Sequence, residues 1–287
     1  MSYVLQHWSG APPALAVWVI VAALHLAGLR RPGADRRRAI QAAAFQGGLL
    51  LALLAVVSPL GYWAGHYIWV RSIQDLLLAF TVPPLIVLGA PWEVLARRPV
   101  RSTGWWLARP IAVAVAFNLV WLGWHVAPLY DLAASNTTVR YVEFACYLGA
   151  GILFWLQVIG SRPWRPALPP MRRLAMLVGT AVADAILGMV LVFGSGVVYP
   201  VYQGPSHHAL SVLSDQQAAG AVLWMGVLPA LIIAAVALIN GWLDEEESDE
   251  LSRDLDRVLG RAPAMPAAPA EQKMVWHARS GYRRPTI

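Results

Sequence analysis

The sequence predicts an all-α protein, a polytopic membrane helical bundle of seven transmembrane helices. Composition, the spacing of the apolar runs and the sorting of arginine between them carry that expectation. Of 287 residues, 58% are hydrophobic and only 13% charged, more apolar surface than a soluble domain of this length could hide. The mean hydropathy is +0.53. A formal charge of +6 would suggest nucleic acid in a soluble chain. Between apolar runs, arginines are instead orientation signals, so no nucleic-acid partner is expected. The single cysteine, Cys146, excludes an intrachain disulfide and a thiolate cluster for zinc or iron-sulfur.

Seven runs are long enough to cross a hydrocarbon core of about 30 Å. They cover residues 11–29, 39–60, 68–90, 107–128, 138–160, 171–195 and 215–242. The first ten residues have no basic n-region, so the first run reads as a retained span and not as a cleaved signal. Arg30, Arg31 and Arg36 to Arg38 lie between the first two spans, Arg97, Arg98 and Arg101 between the third and fourth, and Arg162 and Arg165 between the fifth and sixth. The alternate loops carry no lysine or arginine. The positive-inside rule then places the N-terminus outside and the C-terminus in the cytoplasm. Two domains follow: a transmembrane domain over residues 1–243 and a cytoplasmic tail over 244–287. The tail opens on "DEEESDELSRDLDRVLGR" and passes into "APAMPAAPA", whose composition is that of a linker or disordered segment.

Tryptophans fit the same frame. Trp8, Trp63, Trp69, Trp121 and Trp124 fall near the outer boundary, and Trp92, Trp105, Trp106, Trp164 and Trp242 near the inner one, where indole rings anchor at headgroup depth.

The charges that break the pattern are the candidate functional residues. Only Arg71 and Arg140 among the basic residues lie outside the cytoplasmic loops, helix ends and tail. Each has an acid on its own helical face: Asp75 four residues after Arg71, Glu143 three residues after Arg140. A charge at mid-helix costs about 2.5–3.5 kcal/mol to insert, so four of them point to an interior or watery location. If the third and fifth spans pack together, the four residues form a cross-helix network in which Asp75 and Arg140 are candidate partners. The bland reading is that each arginine snorkels outward and shields its neighbour. Asp184, in the sixth span, is the other deep charge.

Histidines cluster toward the same side. His66, His125, His207 and His208 fall on or near the outer face, and imidazole suits copper or zinc. No spacing among them is diagnostic of a metal site.

Successive motifs then carry a resemblance. "IQDLLLAFTVPPLIVLGAP" with Pro83 and Pro84, "WHVAPLYDLA" with His125 and Tyr130, "LGAGILFW", "VVYPVYQGP", and "SDQQAAGAVLWM" with Asp215 and Gln216 resemble, in order and spacing, the CtaG-like cytochrome c oxidase assembly factors. The resemblance runs from the third span to the seventh. It implies a multi-pass protein of the bacterial plasma (inner) membrane that matures a haem-copper oxidase, with oxidase subunits and membrane lipid as partners and copper supply to the catalytic subunit as the usual role. It also implies a His-x-x-x-His arrangement opening the third span and a similar pair in the fifth. Here those positions read Arg71 and Asp75, and Arg140 with Phe144 and the neighbouring Glu143. His125 remains, with Pro128 one place later than usual. Arginine has no lone pair to offer a metal.

Three readings stand on the sequence. The first is a non-enzymatic oxidase assembly factor, with copper as the implied cofactor at a reduced outer site of His125 and the loop histidines. The second is an ion- or proton-coupled transporter using Asp75, Glu143 and Asp184. The third is a structural family member without metal. No nucleophile–base pair or cofactor motif supports catalysis.

Overall fold

The computed structural model describes residues 7–29, 36–95, 109–161, 164, 166–203 and 210–259. The chain divides into two units, residues 1–239 and 240–287. In the first unit the described residues are almost wholly helical, as lipid demands, because a helix satisfies its own backbone groups where no water can. Helices α1 (Pro12–Leu29) and α2 (Arg36–Val57) lead into a short turn of helix, Pro59–Trp63. The third run is broken: α3 (Ile68–Leu76) passes through a π-helical turn, Leu77–Thr81, into α4 (Val82–Gly89). Then come α5 (Pro110–Trp124), α6 (Ala127–Ser135), α7 (Thr137–Val158) and α8 (Pro170–Phe193). Helix α9 (Val212–Gly226) is followed by α10 (Leu228–Val258).

Among the described residues, six helices are long and apolar enough to cross a membrane, or up to seven if α5 and α6, bent by 67°, are one span. The sequence expects a single fourth span at this place. The bend falls where the helical ladder is cut: His125 closes α5, Val126 is extended, and Pro128 enters the first turn of α6 without an N–H to give.

Proline also explains the π turn. Pro83 and Pro84 cannot donate to the carbonyls one turn earlier, and the Val82 N–H reaches back to Leu77 instead. The freed carbonyl of Ala79 faces α7 at Gly151, where a Cβ would lie 2.8 Å from that oxygen and 2.6 Å from the Pro83 ring. Glycine there lets the two backbones meet. In lipid, where apolar surface alone gives helices no reason to associate, such close approach is a main source of cohesion. Gly188 of α8 and Gly220 of α9 do the same reciprocally, each virtual Cβ falling within 2.7 Å of the other's carbonyl.

Helix α3 and its continuation are the interior element. Of the apolar 18-residue stretch within Ile68–Val94, 61% of the residues are buried, against 11% for Pro12–Leu29. Contacts of Arg71 with Glu143 and of Ala79 with Gly151 show α7 running parallel to it. Contacts of Ile68 with Asp215 and of Leu76 with Gly226 show α9 doing likewise. Around them lies an aromatic core in which Phe80 sits edge-on to Phe117 and Trp121, at 5.3 and 5.0 Å. Trp121 is a correction to the sequence reading. It is fully buried and donates from Nε1 to Asp184 at 3.0 Å, so it is a core residue and not a headgroup anchor.

In the second unit, the described residues continue α10 as a polar helix, with Arg257 and Asp254 paired at 2.8 Å on its exposed surface. The Ala/Pro stretch lies outside the described residues.

Candidate functional site: a buried charge centre

The site begins with how α3 starts. Tyr67, at its N-cap, does not cap the helix with its side chain, so the first N–H groups need another acceptor. Asp215 of α9 supplies the cap from across the bundle: Oδ2 accepts the Ile68 N–H at 2.9 Å and Oδ1 the Trp69 N–H at 3.0 Å. An anion at a helix N-terminus also meets the positive end of the macrodipole. The next residue, Gln216, clamps the loop after α8. Its Oε1 accepts the Val198 N–H and its Nε2 donates to the Gly196 carbonyl at 3.1 Å. The Asp215–Gln216 pair thus ties α9 to the start of α3 and to the segment that brings Tyr199 inward.

One turn into α3 stands Arg71, with no exposed surface. Its Nη2 donates to both oxygens of Glu143, at 2.9 and 3.0 Å, and its Nη1 to the Tyr130 carbonyl at 2.9 Å. The guanidinium carbon lies 3.5 Å from the centroid of the Tyr130 ring. That ring is stacked with Tyr199 at 4.0 Å, and the Tyr199 hydroxyl donates to the His125 carbonyl at 2.9 Å. The Tyr147 hydroxyl donates to Glu143 at 3.4 Å. Asp75 is nearest through a 3.8 Å contact between its Oδ2 and Arg71 Nε, and neither of its oxygens has a hydrogen-bond partner.

The structure therefore brings Arg71, Asp75 and Glu143 together, but in a pairing different from the one the spacing suggests. Arg71 pairs across helices with Glu143, which is thereby drawn away from Arg140. Arg140 donates at 2.7 Å to Gln74, not to Asp75. Gln74 is itself buried and held by the Ala55 carbonyl. Because Arg71 has zero exposure, snorkelling does not describe it. Asp184 belongs to a neighbouring contact between α5 and α8, where Trp121 and, one turn away, the Asn118–Thr180 bond at 3.1 Å hold the helices.

His125 closes the chamber. Its Nδ1 lies 2.8 Å from the Trp121 carbonyl. A carbonyl only accepts, so Nδ1 carries the proton and Nε2 keeps the lone pair. That Nε2 is buried without a hydrogen-bond partner, as is the Tyr130 hydroxyl. The His125 and Tyr130 rings are 5.8 Å apart. His66 sits elsewhere, its Nδ1 on the Tyr62 carbonyl at 3.0 Å and its ring stacked on Tyr62. His207 and His208 lie outside the described residues. Among the described residues, no group of three or more His, Cys, Asp or Glu is arranged to hold a metal ion. His125 offers a single imidazole nitrogen, and its neighbour Tyr130 carries the Arg71 guanidinium over its ring, a cationic setting that does not fit copper. Gln74, Tyr147 and Tyr199 escape a search for charges and metal ligands. Gln74 and Tyr199 lie in quoted motifs, and Tyr147 stands just before one.

The described residues form a helical membrane bundle closed around a buried ion pair. Residues 20–245 match the model of the cytochrome c oxidase caa3 assembly factor family, Caa3_CtaG, and the chain belongs to that family. Curated relatives include uncharacterized proteins of Mycobacterium bovis and Mycobacterium tuberculosis, each 26% identical over 203 residues, or 62% of this chain and 30% of theirs. A third, from Mycobacterium leprae, is 26% identical over 212 residues, 64% of this chain and 31% of its own. The chain thus spans under a third of the length of these relatives. No solved structure matches.

Proposed function

We propose that this chain is a non-catalytic factor that works in the bacterial plasma membrane beside the subunits of a haem-copper cytochrome c oxidase during its assembly, with its N-terminus outside and its C-terminus in the cytoplasm. Its contribution is a rigid membrane partner and not a carried copper ion. The carrying observation is the Arg71–Glu143 pair. The resemblance implies metal-binding histidines at 71, 75, 140 and 144. Here a guanidinium engaged by a carboxylate, a backbone carbonyl and an aromatic ring holds α3, α6 and α7 together instead. Copper supply on the outer face, the usual role of the family, would then rest on other proteins.

The test is deletion in the native host. Reduced-minus-oxidised spectra of the membranes should lose the oxidase bands, and oxidase activity should fall. Added copper should not restore them. Normal oxidase content after deletion overturns the assembly reading, whereas repair by copper overturns the non-carrier reading and favours metal supply. Purified protein should bind copper weakly, with any residual affinity lost in His125→Ala. Tight, stoichiometric copper retained in that variant would contradict the assignment.

A further inference from the structure

Two cavities abut on the flank of the bundle where α1 and α2 meet α7. The larger, about 450 Å³, is an apolar trench whose walls include Val17 and Trp18 of α1, Ala52 and Leu53 of α2, and Ala145 and Leu148 of α7. Val17 is 61% exposed, so the trench opens on the lipid-facing surface. The smaller, about 230 Å³, is polar and contains Gln74, Thr137 and Arg140. Val56, Tyr141 and Phe144 line both, so the two form one amphiphilic groove.

The order of polarity follows the helix axes. Thr137 and Arg140 stand in the first turn of α7, the end of a helix long enough to span, where headgroups are expected. From Arg140 the trench descends to Leu148, about 12 Å farther in at the helical rise of 1.5 Å per residue. Arg140 is half-buried, and its orientation is set: Gln74 accepts from Nη2 at 2.7 Å, and the guanidinium lies 5.6 Å from the Phe144 ring centroid. One of its five N–H donors is thus engaged with Gln74, and the fork geometry of the remainder suits phosphate oxygens. No acidic side chain lines the polar cavity, although Arg140 also interacts electrostatically with Asp75, buried beside it. The arginines from 36 to 38 stand at the opposite end of α2, and among the described residues that line the groove Arg140 is the cation.

We propose that the groove binds one anionic phospholipid, its phosphodiester on Arg140 and one acyl chain in the trench between α1, α2 and α7. The lipid would fasten α1 and α2 to α7. Helix α1 is little buried by protein and needs such a fastening more than the interior helices do.

The test uses the full chain in mild detergent, stripped of lipid, with binding read by native mass spectrometry. Dioleoyl phosphatidylglycerol should be retained one to one and preferred over dioleoyl phosphatidylcholine by about fivefold, the worth of one interfacial cation. Glycerol 1-phosphate, which has the head chemistry without the tails, should compete poorly. Arg140→Gln should remove the preference and Arg140→Lys should keep most of it. Ala145→Phe, which fills the trench and leaves Arg140 untouched, should lower retention of both lipids. Thermal melts check that each variant is folded, and if Arg140→Gln is not, the comparison of lipids on the parent and Ala145→Phe decides. Equal retention of the two lipids by the parent overturns the proposal. So does undiminished phosphatidylglycerol binding by Ala145→Phe, and complete competition by glycerol 1-phosphate would reduce the site to a free-phosphate site.

Discussion

Replacing Arg71 by leucine should be the most damaging single change in the charge centre, and the geometry sets its size. Arg71, Glu143 and Asp75 have no exposed surface. Arg71 places one nitrogen 2.9 and 3.0 Å from the two oxygens of Glu143 and the other 2.9 Å from the Tyr130 carbonyl. Removing it strands the Glu143 carboxylate, takes one of its donors from the Tyr130 carbonyl and leaves two acids near each other. Breaking a buried pair costs about 3–5 kcal/mol, whereas an exposed pair is worth about 0–1. Glu143→Gln should cost less, because Asp75 Oδ2, already 3.8 Å from Arg71 Nε, remains to balance the guanidinium. Asp75→Asn should cost least, since its carboxylate makes no hydrogen bond. The double variant Arg71→Leu with Glu143→Leu should be about 2 kcal/mol or more milder than the sum of its parts, the excess measuring the pair. Reversible unfolding in mixed micelles with increasing dodecyl sulfate, followed by tryptophan fluorescence, reads these four and the single Glu143→Leu that closes the cycle. If Arg71→Leu unfolds within about 1 kcal/mol of the parent, the pair is energetically a surface one and the reasoning fails.

Asp215→Ala should cost about 2 kcal/mol in the same assay, because two N–H groups at the start of α3 lose their acceptor; Asp215→Asn should cost less, retaining one oxygen. Gly151→Ala should cost about 1–3 kcal/mol and Gly151→Leu more, since the Pro83 ring and the Ala79 carbonyl are rigid and cannot yield; a melt unchanged in Gly151→Leu would show that α7 does not approach that closely. For orientation, a periplasm-active reporter fused after Ser206 should be active and one fused after Ala264 inactive, and the reverse pattern would invert the placement of every loop. Both fusion points lie outside the described residues.

Much of the architecture was legible in the sequence because it depends on local or additive quantities. Apolar runs of spanning length, arginine sorted to alternate loops, and the Asp215–Gln216 and Pro83–Pro84 dipeptides are visible without any partner. So was the isolation of Arg71 and Arg140 from the other basic residues, and the shared face of Arg71 and Asp75, which is a property of one helix. The partners of these charges were not legible. Arg71 meets Glu143 because α7 runs parallel to α3 in the register that Gly151 permits against Pro83 and Ala79. A slide of α7 by about two turns would have set Arg140 level with Asp75. The bend at Val126, the burial of Trp121 against Asp184 and the capping of α3 by a residue of α9 are of the same kind. In lipid, one apolar helix face is nearly as good as another. Register is therefore decided by close approach at a few small residues and by the need of every buried polar group for a partner, and only the assembled bundle meets both conditions at once.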